Sequence, residues 1–148
     1  MAVMAYLVVR NDLPSLNPGK MAAQAFHAGN QIAKYASDLR AIAYVKEGID
    51  AGADYFNKTV TLQANHEQML AILGNKGDYC GDVVNDPTYP FWMDAEMIPF
   101  VTNAITVTDV YRDGKVLATR NELTCLWMIG DEDDNRFRTI FSGLGLAA

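Results

Sequence analysis

Residues 7–34 read LVVRNDLPSLNPGKMAAQAFHAGNQIAK. An apolar run closes at Arg10, a loop follows, and Pro18-Gly19-Lys20 opens a helix. Proline suits a first helical position, where its missing N–H would go unpaired anyway. Asn17 stands where an N-cap belongs, and the helix is predicted to run to about Tyr35. Lys20, Gln24, His27 and Gln31 recur at i, i+4, i+7 and i+11, one stripe at helical period. Ala22, Ala23, Ala25, Ala28 and Gly29 leave the flanks small enough for close packing. A polar stripe on a helix that starts beyond a strand's C-terminal end is a usual ligand position in α/β proteins.

The rest of the chain follows from this unit. Ala5–Arg10 is expected to be a central strand, apolar on both faces as parallel strands are. Ser37 would cap a second helix over Asp38–Ile49, burying Leu39, Ile42, Ala43 and Val45. Lys58–Ala64 alternates polar and apolar residues and reads as a second strand, reached by a right-handed crossover. Asn65-His66-Glu67-Gln68 has the form of a capping box, with Gly74 as the stop of its helix. Asn75–Pro99, with three prolines and no sustained period, reads as a long functional loop or insertion.

Asp113-Gly114 marks a two-residue hairpin between Thr102–Arg112 and Lys115–Arg120. Such a turn would set Asp109 across from Ala118 and pair Thr108 with Thr119. Leu123–Ile129 is a further apolar strand, and the last helix runs from Asn135 to about Phe141, bounded by Gly143 and Gly145. The expected architecture is α/β: a single three-layer domain with a four- to five-stranded, mixed, mostly parallel sheet flanked by helices.

Composition narrows the function. A chain of 148 residues, 50% hydrophobic, suits one domain with a real core. Its net charge of −6 argues against broad, non-specific adhesion to nucleic acid while leaving room for a small basic site. Two cysteines, Cys80 and Cys125, form no disulfide framework and fit free thiols in a cytoplasmic protein. The opening MAVMAYLVV has no basic start and reads as a strand, and no apolar run reaches the roughly 20 residues a membrane span needs. His27, His66, Cys80 and Cys125 lack metal-ligand spacing, and no phosphate-loop or dinucleotide glycine motif occurs. No metal or organic cofactor is expected.

VVRNDL followed by GKMAAQAFHA resembles the opening signature of the type II peptidyl-tRNA hydrolases. Gly19, Lys20, Ala22, Ala23, Gln24, His27 and Ala28 match that signature residue for residue. The intervening PSLNP is longer than the family's usual link, and no counterpart is found for the segment at about 75–99. The resemblance implies a single domain over residues 1–148 that hydrolyses the ester of peptidyl-tRNA, and it allows a homodimer. It also implies a catalytic aspartate at a strand end, matched here by Asp109, although Val110 replaces the glycine that should follow. Thr119 and Thr124 compete for the family's threonine.

On this basis Lys20, Asp109, His27 and Gln24 are the expected catalytic group. Gly19, Arg10, Thr119 and Gln31 are expected to contact substrate. Spacing alone would leave Lys20 a solvated lysine and His27 a packing residue. A cation at a helix N-terminus is disfavoured by the dipole unless an anion joins it. Cys80, next to Gly81, could serve as a nucleophile with His27, but a loop cysteine is more often structural. The alternative to an esterase is an RNA- or partner-binding protein on the same fold.

Overall fold

The computed structural model describes residues 3–32, 34, 38–50 and 58–147. Ser37 and Tyr35, named above for a cap and a helix end, lie outside these residues. The elements run β1 (Val3–Arg10), α1 (Pro18–Ile32), α2 (Leu39–Asp50), β2 (Thr59–Ala64), α3 (His66–Gly74), β3 (Cys80–Asp94), a 3-10 turn (Ala95–Phe100), β4 (Ile105–Arg112), β5 (Lys115–Asp131), α4 (Asn135–Ile140) and β6 (Gly145–Leu146).

The protein is α/β, with one mixed sheet in the order β3-β5-β1-β2-β6 and β4 added against β5. Alternation along β1 sends Val3, Ala5 and Val9 to one face, where they pack with Ala28 of α1, Ala41 and Tyr44 of α2, and Trp127. Met4, Tyr6 and Val8 go to the other face, against Met69 and Ile72 of α3 and Phe137 of α4. Helices thus cover both faces, the three-layer arrangement expected.

Two details of the expected sheet are corrected. It has six strands among the described residues, and β1–β2 is its one parallel pair; the remaining pairings are antiparallel. The cause is β3, which occupies the middle of the segment read as a loop and pairs with β5 from Cys80↔Ile129 to Asp94↔Lys115. Pro87 and Pro90 hid it. A proline cannot donate to a ladder, but an edge strand has one side free of partners, and β3 is the edge of the sheet. Bulges at Val84/Asn85 and Asp86/Tyr89 absorb the irregularity.

The hairpin forms as predicted at its tip. Asp113 and Gly114 have φ of 53° and 75°, the two positive values of a type I′ turn, with Arg112 opposite Lys115. Beyond Tyr111↔Val116, however, β4 bulges, so that Ala118 faces Val107 and Thr119 faces Thr106. Thr108 turns its hydroxyl to the Leu117 carbonyl at 2.7 Å. The expected Asp109–Ala118 and Thr108–Thr119 pairs are therefore absent. β3 and β4 flank the first half of β5, where Val116 and Ala118 are fully buried.

The second helix also differs in detail. Ala41 and Tyr44 face the sheet, whereas Leu39, Ile42 and Val45 are 77%, 42% and 39% exposed. Tyr44 decides the face: it fills the interface with a ring while its hydroxyl hydrogen-bonds Thr59 at the start of β2. The capping box at the start of α3 forms as expected, with Asn65 and Gln68 bonding reciprocally at 2.9 Å.

Candidate active site on the first helix

Asn17 caps α1 through its side chain, which accepts the Lys20 N–H at 3.0 Å, and Pro18 takes the first helical position. The preceding loop is fastened to β3, since Ser15 N–H donates to the Tyr89 hydroxyl at 3.0 Å and Ser15 Oγ donates to the Pro90 carbonyl at 3.1 Å. The helix start is thus held against the sheet. It presents Gly19, Lys20 and His27 to solvent and keeps Gln24 half-buried. Lys20 makes no ion pair among the described residues.

Gln24 lies at the boundary between helix and sheet. Its carbonyl accepts the Cys125 thiol at 3.6 Å. Its side-chain Oε1 is buried and has no hydrogen-bond partner among the described residues. Buried acceptors are nearly always satisfied, so one left open one turn from an exposed ammonium is notable. Gln31, at the other end of the stripe, is spoken for: it donates to the Val83 carbonyl and accepts the Trp127 indole N–H, each at 2.8 Å. Both halves of its amide tie α1 to the sheet.

Arg10 belongs to a separate cluster. It follows Val9 on β1 and so turns to the α3 side, where it is 5% exposed. Its guanidinium donates to Asp12 at 2.5 Å, and to Glu122 and the Leu123 carbonyl at 2.9 Å each. Asp12 also accepts the His66 N–H at the start of α3 (3.1 Å). Burial opposes the charge on Arg10, yet the hydrogen bonds to Asp12 and Glu122 leave its pKa raised. The same contact with Arg10 holds the Asp12 carboxyl below the ordinary aspartate value. Arg120 extends the cluster, bonding Glu122 at 2.8 Å and stacking over Phe91 at 4.6 Å. Asp12 was legible two residues from Arg10 in the same stretch. Glu122 was not, because only the β1–β5 pairing brings it there.

Asp109 and Thr119 lie on the outlying β4–β5 ribbon. Asp109 is exposed inside the bulge, level with Leu117. The Gln24 carbonyl accepts from Cys125 and Gln31 from Trp127, so α1 lies along β5. Gly19, Lys20, Gln24 and His27 share α1, and Asp109 stands on β4. Thr119 is half-buried opposite Thr106, and Thr124 is fully buried with its hydroxyl on the Val84 carbonyl at 2.9 Å.

Neither cysteine suits a nucleophile. Cys80 is buried in β3, and burial, chiefly, pushes its thiol up to about 11; Cys125 is pushed up to about 12 for the same reason.

Comparison with curated proteins gives no match. Among solved structures, one of a protein of unknown function from Agrobacterium tumefaciens strain C58 is similar at a TM-score of 0.43 and 14% identity, over 100% of this chain and 99% of that one. A family model described as peptidyl-tRNA hydrolase PTH2 matches residues 3–108, a span that includes β1, α1 and β3 and stops one residue short of Asp109. This chain is a member of the peptidyl-tRNA hydrolase PTH2 family.

Proposed function

We propose that this protein hydrolyses the ester joining a peptide to the 3′ ribose of tRNA. Water attacks the ester carbonyl, and free peptide and tRNA leave. The observation that carries the proposal is the edge of α1, where an exposed, unpaired Lys20 ammonium stands one turn from the buried, unsatisfied Gln24 Oε1 in a chain of this family. Lys20 holds the terminal phosphate or stabilises the oxyanion as it forms. Gln24 turns its Oε1 outward to accept a hydrogen bond from the attacking water or from a ribose hydroxyl, which supplies the partner it lacks among the described residues. His27, one further turn along, positions the 3′ end, and Gly19 lets the substrate approach the helix start. The reaction needs no covalent intermediate and no cofactor.

A second reading, tRNA binding without turnover, is favoured by Val110, which stands where the family's glycine should follow Asp109. Turnover and binding measured side by side on one purified peptidyl-tRNA separate the two. The esterase reading expects peptide release at a rate that enzyme concentration sets. Salt-sensitive binding with no peptide released would establish the second reading instead.

A further inference from the structure

We infer a second binding site, for a small amphipathic monoanion, at the opposite end of the central strands and on the other face of the sheet. A cavity of about 660 Å³ opens there, within the range of roughly 300–1,000 Å³ usual for small-molecule sites. Its floor is apolar, made by Tyr6, Val60, Leu62 and Phe141. The rings of Tyr6 and Phe141 stack at 4.1 Å with planes 26° apart, giving a rigid aromatic base. Tyr6 is 9% exposed and lines the cavity.

The charges on the rim choose the ligand's sign. Lys58 pairs with Glu132 across one side, while Arg138 on α4 is exposed and makes no ion pair among the described residues. Two cations against one carboxylate leave a local excess of one positive charge on a chain whose net charge is −6. The neighbouring hydroxyls donate elsewhere, Thr139 to the Asn135 carbonyl at 2.7 Å and Ser142 to the Thr139 carbonyl at 2.8 Å. Donors for an anion are therefore Arg138 and Lys58. A planar fork such as the Arg138 guanidinium suits a carboxylate. The ligand class is an aromatic or short-chain carboxylic acid, its body on the Tyr6–Phe141 floor and its head at Arg138. This inference is independent of the esterase reading, because the cavity shares no residue with the α1 edge.

The test is a titration of the isotopically labelled full chain with 3-phenylpropionate and, separately, with its uncharged amide, following backbone amide shifts. Saturable shifts are expected at Val60, Leu62 and Leu144, with Lys20 and Trp92 unmoved. The acid is expected to bind about fivefold more tightly than the amide, and Arg138→Gln to remove that preference without weakening the amide, as an exposed ion pair allows. Lys58→Gln provides a second variant on the opposite rim, expected to weaken the acid alone. No saturable shift at these residues, equal binding of acid and amide, or shifts centred elsewhere would overturn the site.

Discussion

Arg10 shows how a single residue takes its role from partners far away in the chain. A lone buried cation would be costly, but Asp12, Glu122 and the Leu123 carbonyl surround it. Removing it leaves Glu122 to Arg120 and Asp12 to the His66 N–H, so Arg10→Gln is expected to cost about 1–3 kcal/mol in urea-unfolding free energy. Asp12 gives the cluster its pH signature. Its folded pKa lies below the unfolded value, so its contribution is present above that unfolded value, near 3.8, and is lost as pH falls through the lower, folded one. Asp12→Asn should therefore flatten the acid limb of the stability–pH curve, and a limb unchanged from wild type would contradict this. Gln31 makes the complementary point: Gln31→Leu removes the hydrogen bonds to the Val83 carbonyl and from the Trp127 indole N–H, an expected loss of about 1–3 kcal/mol by thermal or chemical unfolding. Lys20, Gln24 and His27 could be placed from sequence because a cap and a helical period fix them locally. The bonds of Arg10 to Glu122 and of Gln31 to Trp127 depend on β5, more than 90 positions away, and no local pattern encodes them.

Among the elements, the ones with strong local signals formed where expected: β1, β2, the capping box of α3 and the Asp113-Gly114 turn. The departures share a physical origin in tertiary pairing. Prolines that argue against a central strand are harmless on the outer edge of β3, and the β4 bulge shifts a register that turn geometry alone would have set. On α2, a buried ring with a bonded hydroxyl outweighed three aliphatic side chains. Gly114 at φ +75° has open space around it, so Gly114→Ala should cost only the backbone strain, about 1 kcal/mol. Gly130 is different, because a Cβ there would meet the Phe137 ring at 2.6 Å, in the packed layer between β5 and α4. Gly130→Ala is expected to cost more than Gly114→Ala, about 1–3 kcal/mol. Thermal denaturation of the pair checks the order, and a reversal would show that the β5–α4 layer yields more readily than its packing implies.

Across the whole molecule, the sheet keeps its two ends distinct. The end where β1 finishes carries the cap of α1, the fastened loop and the Lys20 edge; the other end carries the anion cavity. Under the proposed function, an acidic chain must confine its positive charge to such places, which predicts few phosphate contacts and a shallow salt dependence of peptidyl-tRNA binding. The central claim is that ester hydrolysis occurs at the α1 edge through Lys20. Single-turnover release of peptide from purified peptidyl-tRNA, enzyme in excess, tests it with wild type, Lys20→Ala and Asp109→Asn. Wild type should release peptide and Lys20→Ala should slow by about a hundredfold or more, as loss of a transition-state cation does, while Asp109→Asn reads whether that carboxylate takes part. Equal rates for wild type and Lys20→Ala, or no release by any of the three, would contradict the account.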